Sequence, residues 1–339
     1  MTTKATSVVA AVHAAPVLLD TEATVDKACA LIARGGEQGI DLLVFPEAFV
    51  PGFPYWINLY PPADQFAINK RYRAASIERT GPEVAQLREA ARRAGVNVVI
   101  GISERDGGTL YNAQLHIDDR GTLLGVHRKL QPTYAERYVW GQGDGSSLSV
   151  FATRLGRVGG LVCWEHMMNL ARQALILQGE QIHAASWPGL STQRGMEQSF
   201  DVQVDALSRA HAVTGQCFVV VAQNPLTPEM VAVFEDELGP QAIQPAGGGW
   251  SAVIAPDGTT LAGPHVGLDE TFVTAEIDLD AIDDLHALID PRGHYARRDV
   301  LRLWMDPGPH DVWASHGGTP DPAADAAAPH DDPAPEGTA

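Results

Sequence analysis

"GRVGGLVCW", residues 156 to 164, followed within two positions by "MMNLARQALILQGE", residues 167 to 180, decides the fold. The first piece is a short apolar run with the length of a buried strand. The second repeats apolar residues at helical spacing and runs out at Gly179. Between them stand Cys163, Trp164, Glu165 and His166. A buried cysteine behaves as a small hydrophobe and suits apolar neighbours. A reactive one needs polar partners that draw off its proton. Cys163 closes an apolar strand and faces a charged junction, so its position raises the second reading.

The same alternation of strand and helix covers the first 300 residues. "SVVAAVHAAPV" (7–17) reads as a strand, residues 21–36 as a helix ending in glycines, and "IDLLVFPEAF" (40–49) as an apolar strand stopped by Pro46. Residues 82–94 read as a helix and "VNVVIGISE" (96–104) as a strand. "YNAQLHIDDRGTLLGVHRKL" (111–130) reads as a hairpin turning at Asp119, Arg120 and Gly121. Further on come a strand at "IHAASWPG" (182–189), a helix over 196–215 and a strand at "QCFVVVAQN" (216–224). A second hairpin turns at Asp257-Gly258, and "TFVTAEIDLDAI" (271–282) closes the core. Helix-linked strands mixed with two hairpins predict an α/β protein with two sheets covered by helices, not one doubly wound sheet.

Composition narrows the function classes. Of 339 residues, 45% are hydrophobic and 19% charged, a globular balance. No run reaches the roughly 18 to 20 apolar residues of a membrane span. Formal net charge is −18; the seven acidic residues from Asp306 onward, with no Lys or Arg among them, leave −11 for the rest. An acidic body disfavours nucleic acid and anionic membranes as partners. Three widely spaced cysteines do not make a disulfide framework, and the N-terminus lacks a signal-peptide pattern, so a cytoplasmic protein is expected. Residues 1–313 are expected to form one domain. Residues 314–339, rich in Pro, Ala, Gly and Asp, are expected to be a disordered acidic tail.

Three polar residues share one kind of place. Glu47 follows the strand "DLLVF", Lys129 ends "LLGVHRK", and Cys163 ends "GRVGGLV". Functional groups of α/β sheets gather at the carboxyl ends of strands. A thiol can attack, a carboxylate can take its proton, and an ammonium can stabilise developing negative charge. Taken singly, Glu47 would be a solvated loop residue, Lys129 part of a basic turn with Arg128, and Cys163 a core cysteine. Cys29 and Cys217 read as core. His166 reads as a residue that packs or hydrogen-bonds locally at a helix start, in preference to a Cys–His pair. "GQGDGS" (141–146) lacks the strand-to-helix setting of a dinucleotide site. There is no Walker sequence, no HExxH among the 12 His and no CxxC, so neither a cofactor nor a metal is expected.

"FPEAFVPGFP" (45–54), "HRKLQPTYAERYVWGQGDGS" (127–146) and "GGLVCWEHMMNLARQAL" (159–175) resemble the signature segments of the nitrilase superfamily of carbon-nitrogen hydrolases. They are most similar to its true nitrilase branch, with an arylacetonitrilase-like character. "GHYARRDVLRLWMD" (293–306) resembles that branch's C-terminal segment. The sequence departs from the branch at Asn169, where many members carry Pro. The resemblance implies a four-layer α-β-β-α sandwich. It also implies a catalytic triad of Glu47 as general base, Lys129 as charge stabiliser and Cys163 as nucleophile, with Glu136 as a second glutamate.

The activity so implied is hydrolysis of a small organic nitrile to the carboxylic acid and ammonia through a thioimidate and a thioester, without a cofactor. An amidase or carbamoylase with the same triad, a cyanide-degrading enzyme, and a silent filament-forming member are the alternatives. The resemblance further implies self-association into a homo-oligomer or spiral filament. The aromatic residues Phe53, Trp140 and Trp164 of these segments, with Trp187 at the end of the next strand, are expected to contact the substrate, Trp140 and Trp187 above all by standing apart from the core. An aromatic or arylaliphatic nitrile is the expected preference.

Overall fold

The computed structural model describes residues 6–309. The elements run β1 (Thr6–His13), α1 (Thr21–Glu37), β2 (Leu42–Val44), α2 (Phe66–Ala75), α3 (Pro82–Ala94), β3 (Asn97–Asp106), β4 (Thr109–Ile117) and β5 (Leu123–Arg128). After these come β6 (Phe151–Thr153), β7 (Gly156–Val162), α4 (Asn169–Leu177), β8 (Ile182–Trp187), α5 (Phe200–Gly215) and β9 (Phe218–Gln223). The last are α6 (Pro228–Leu238), β10 (Trp250–Ile254), β11 (Thr260–Val266), β12 (Thr271–Asp278) and α7 (Asp280–Leu288). The expected boundary at 313 and the acidic tail lie outside the described residues.

Two six-stranded sheets result, ordered β12-β1-β2-β3-β4-β5 and β11-β10-β9-β8-β7-β6. Strands β1, β2 and β3 are parallel, as are β7, β8 and β9, while the outer pairs are antiparallel. The parallel strands β2, β8 and β9 are buried at every position, as strands covered on both faces must be. Val9, Ala11, Leu42 and Val44 of the first sheet meet Ile182, Ala184, Val220 and Ala222 of the second in one apolar layer. Val25, Ala28 and Ile32 of α1 and Val84 and Leu87 of α3 cover the far face of the first sheet. On the second sheet the far face is covered by Ala171, Ala174 and Leu175 of α4 and by Phe200, Val204 and Ala212 of α5. The layers are helix, sheet, sheet, helix, as the resemblance implies.

Local signals explain where the elements begin and end. Asp20 caps α1 by accepting from the Ala23 amide, and α3 starts at Pro82 and stops at Gly95, whose φ of 68° is in the left-handed region. Helix α5 starts at Phe200, four residues later than the apolar pattern suggests, because residues 196–199 form turns. Helices α2, α6 and α7 and the short β6 were not anticipated. For α6 the signal was present: Thr227 caps the Met230 amide at 3.3 Å and Pro228 is the first helical residue.

Candidate active site

Glu47, Lys129 and Cys163 each stand just past a strand end: β2, β5 and β7 respectively. The two sheets bring these ends together. The Glu47 amide reaches the Trp187 carbonyl at the end of β8 (3.4 Å), and the Ser186 hydroxyl donates to the Phe45 carbonyl (2.8 Å). Gln114, on β4 of the first sheet, donates to Ser186 Oγ (2.7 Å) and to the Ala184 carbonyl (3.2 Å) of the second. The Glu47 turn lies so close to β3 that a side chain at Gly101 would meet the Pro46 carbonyl at 2.3 Å. Glycine is therefore required there.

The charged groups form one dry cluster. Lys129 Nζ donates to Glu47 Oε1 at 2.9 Å and to Glu136 Oε2 at 2.7 Å, and all three side chains are buried. Asn112 Nδ2 donates to the same Glu47 oxygen at 2.5 Å, and the Thr133 amide donates to Glu136 Oε2 at 2.9 Å. A carboxylate oxygen of Glu47, one of Glu136 and Cys163 Sγ all lie within 4.8 Å of one another. Glu47 Oε2 has no hydrogen-bond partner among the described residues. A second donor group, Glu180, His183 and His211, also lies close enough to share a cation. In the first group, however, the Lys129 ammonium already bridges the two carboxylates, and in the second each Glu180 oxygen already takes an imidazole at 2.7 Å.

Protonation follows from this burial. Desolvation lifts the Glu47 carboxyl to about 7, against the pull of Lys129. Burial alone would lower Lys129, but Glu136, Glu47 and Cys163 beside it hold it well above its ordinary value. Burial, and then Glu47, push the Cys163 thiol well up. Cys163 thus rests as a thiol, beside a carboxylate whose free oxygen can take its proton and an ammonium that stays charged.

The backbone is shaped at the same places. Among the described residues five non-glycine positions have positive φ, and three of them are Ala48 (45°), Tyr134 (48°) and Cys163 (54°), each in a loop of this site. Strained backbone of this kind persists where surrounding structure over-determines it. At Cys163 the supports are visible. Glu165 accepts from the Val162 amide (2.8 Å) and the Leu130 amide (2.7 Å), tying the nucleophile turn to the Lys129 loop, and His127 Nε2 stands 3.0 Å from it.

The four aromatic residues divide. Phe53, Trp140 and Trp187 belong to the apolar cluster that contains Cys163, and Trp164 packs half-buried on its edge. Trp140 and Trp187 do not stand apart from the core: Trp140 Nε1 donates to Ser103 Oγ (2.9 Å), and Trp187 stacks on His166. Cys217 is buried as expected, whereas Cys29 is only partly covered, at the rim of α1. His166 bonds locally, as read: its Nδ1 faces the Cys163 carbonyl, not the thiol. Asn112 and Gln114 escaped the sequence reading, since neither sits in a motif; Thr133 lies within the segment 127–146 but was not singled out there. Alternation along β4 puts Asn112 and Gln114 on one face, and that was the available signal.

A two-sheet sandwich with a thiol, a carboxylate and an ammonium gathered at its strand ends has the parts that a thiol hydrolase of covalent mechanism needs. Residues 8–287 match the carbon-nitrogen hydrolase family model, and the chain belongs to that family. It is 40% identical to a nitrilase of Pseudomonas syringae pv. syringae (strain B728a), over 89% of this chain and 90% of the relative. An aliphatic nitrilase of Rhodococcus rhodochrous is 43% identical (87% and 81% covered), and an arylacetone-specific nitrilase of Alcaligenes faecalis 39% (88% and 84%). Among solved structures, a carbon-nitrogen hydrolase from Helicobacter pylori G27 superposes with a TM-score of 0.69 at 18% identity, over 87% of this chain and 96% of that one.

Proposed function

We propose that the protein hydrolyses an organic nitrile to the carboxylic acid and ammonia. The observation that carries the reading is the free Glu47 Oε2, held in the same dry cluster as Cys163 Sγ and an ammonium. Glu47 accepts the thiol proton as Sγ attacks the nitrile carbon. The nitrile nitrogen gains negative charge, which Lys129 Nζ–H stabilises, and takes up the proton to give a thioimidate. A water that loses its proton to Glu47, with Glu136 holding Lys129 in place, adds to the same carbon. The C–N bond breaks as the added hydroxyl becomes a carbonyl and gives up its own proton; ammonia leaves with both protons of that water, so a thioester remains. A second water then breaks the C–S bond, frees the acid and returns the proton to Sγ. Two waters are consumed per nitrile, and no cofactor enters.

The test is a panel of nitriles and matching amides with ammonia as the readout. Nitriles turned over well above their amides support the reading; the reverse order makes the protein an amidase with the same machinery. Cyanide as the preferred substrate would indicate a cyanide-degrading enzyme.

For the substrate class, Phe53 and Trp164, which pack in or on the apolar cluster that contains Cys163, favour an aromatic or arylaliphatic nitrile, each ring contact adding about 0.5 to 1.5 kcal/mol. The relatives' names include both an aliphatic and an arylacetone-specific enzyme, so kcat/KM for phenylacetonitrile, benzonitrile and a short aliphatic nitrile decides. A tenfold advantage for the aliphatic compound removes the aromatic reading and leaves the triad standing.

Self-association belongs to the same proposal. Leu170, Tyr295, Leu301 and Trp304 are exposed, each more than two-thirds accessible. Apolar surface of this extent favours contact with another copy. Light scattering showing only a monomer would refute it. No helix among the described residues is long and apolar enough to cross a membrane.

A further inference from the structure

Behind the nucleophile runs a chain of buried polar side chains that the proposed reaction does not use. His166 Nδ1 lies 2.6 Å from the Cys163 carbonyl oxygen. Its Nε2 lies 2.9 Å from His183 Nε2 on β8. His183 Nδ1 lies 2.7 Å from Glu180 Oε1, and Glu180 Oε2 lies 2.7 Å from His211 Nε2 on α5. The three imidazoles are fully buried and Glu180 is 3% exposed.

Counting donors fixes the direction of this chain. A carbonyl oxygen only accepts, so His166 Nδ1 carries a hydrogen. Burial, and then His183, hold His166 well below its ordinary value, so the ring is neutral and its Nε2 accepts. His183 Nε2 must then donate. The contact between His183 Nδ1 and Glu180 needs a hydrogen as well, so imidazole and carboxyl together hold one proton more than a neutral imidazole and a carboxylate. The pair is formally neutral, which is how a carboxylate stays buried there. Burial by itself would raise Glu180, but His183 and His211 bring it to about 2. The hydrogens on His183 Nε2 and His166 Nδ1 point toward the Cys163 carbonyl, while those on His183 Nδ1 and His211 Nε2 point to the Glu180 carboxylate, which anchors the line.

That carbonyl belongs to a residue with φ of 54°. A left-handed cysteine turns its side chain and its carbonyl in directions that relaxed backbone would not keep. The His166 ring is itself held by stacking on Trp187, with centroids 5.1 Å apart and planes 21° from parallel. We propose that His166, locked by His183 and Glu180, is a positioning residue that fixes the strained Cys163 backbone and thereby aims Sγ at the substrate carbon. The inference rests on Cys163 being the nucleophile.

The experiment compares His166→Phe, His166→Asn and Glu180→Gln with the wild type. Phe keeps the ring and the stack on Trp187 but removes the donor. Asn places its amide nitrogen where Nδ1 stands and restores the bond to the carbonyl. Each variant is checked by thermal melting, then assayed for kcat and KM with a nitrile and for the rate of Cys163 alkylation by iodoacetamide, with the adduct mapped by mass spectrometry. His166→Phe should lose about tenfold to a hundredfold in kcat, as expected for one buried hydrogen bond, with KM changed less than about twofold and alkylation slowed in parallel. His166→Asn should recover most of that loss. Glu180→Gln, which keeps the volume but cannot accept from both imidazoles, should lose less in the same direction and reads the relay if His166→Phe does not fold.

A folded His166→Phe with wild-type kcat overturns the proposal, and so does His166→Asn as impaired as Phe. If His166→Phe is unfolded, wild-type kcat in Glu180→Gln overturns it. A wild type that turns over nitrile but takes no adduct at Cys163 refutes the nucleophile assignment instead.

Discussion

The groups around Cys163 Sγ and those behind its carbonyl are equally dry, yet they are wired differently. In front, Glu47 spends one oxygen on Lys129 and Asn112 and keeps the other unpartnered. Behind, Glu180 spends both oxygens on imidazoles. An unpartnered buried acceptor raises the energy of the resting state, and a proton arriving from a neighbouring thiol relieves it. A carboxylate with both oxygens engaged has nothing to gain from such a proton. Burial alone therefore does not distinguish the two carboxylates; the unused carboxylate oxygen of Glu47 does. Cys163 belongs to both clusters, presenting its sulfur to one and its backbone to the other.

Cys163→Ala breaks the contrast most severely. Removing the nucleophile should lower ammonia release by several orders of magnitude, while Cys29→Ala and Cys217→Ala keep most of it. Substantial turnover by Cys163→Ala would end the assignment.

Glu47→Gln should stay folded and lose about 10²- to 10⁴-fold in rate, since an amide cannot accept the thiol proton. The wild type adds a pH signature. Glu47 works as the carboxylate and sits at about 7, so kcat/KM should rise with pH through that value. A flat profile between pH 5.5 and 8 in the wild type would count against Glu47 as the base.

Lys129→Met tests the electrostatic half. It leaves Glu47 and Glu136 facing each other without their shared cation, and removing one partner of a buried ion pair costs about 3–5 kcal/mol. Urea midpoints should show that loss. Lys129→Arg should also be poorly active, because a planar guanidinium does not fit a position built for a compact ammonium with two carboxylate contacts. Wild-type-like rates in a folded Lys129→Arg protein would refute a direct role.

The smallest effect concerns the architectural side. His116 on β4 is buried, neither ring nitrogen has a partner among the described residues, and its ring packs on Phe151 at 4.7 Å. Burial, with His127 beside it, lowers it from 6.5 to about 3; Glu180 and His183 also face it. As pH falls below 6.5 the unfolded chain takes up this proton and the folded one does not, so stability is full above 6.5 and is lost as pH falls toward 3. At pH 5 that amounts to about 2 kcal/mol. His116→Phe removes the proton site, and its loss of stability between pH 7 and pH 5 should be smaller than the wild type's by that amount. Equal losses would show that His116 does not carry this term.

Much of the front cluster was legible. Glu47, Lys129 and Cys163 end apolar strands, and a strand end is visible in the pattern of one segment. The two-sheet architecture was legible for the same reason, from hairpins interleaved with helix-linked strands. The rear cluster was not. His166, His183, Glu180 and His211 lie on a turn, a strand, a loop and a helix, and only the packing of β7, β8 and α5 joins them. Asn112 was hidden likewise, because its partner Glu47 is 65 residues away. Trp140 and Trp187 were misplaced because an aromatic near a motif reads as pocket or core alike. Their burial is decided by Ser103 and His166, which no local pattern brings near. Helix α6 is different: its Thr-Pro start was readable and was passed over.

The register that pairs Thr6 with Asp278 also sets a timetable for synthesis. Strand β1 leaves the ribosome well ahead of β12, which covers one of its edges. At about 5–20 residues per second, roughly a quarter of a minute to a minute separates the two. Through that interval β1 presents a run of unpaired amides and carbonyls with apolar side chains, the kind of edge that recruits a neighbouring chain. A nascent chain halted before residue 271 never closes it, so premature termination ahead of β12 should yield aggregate, not a smaller folded protein.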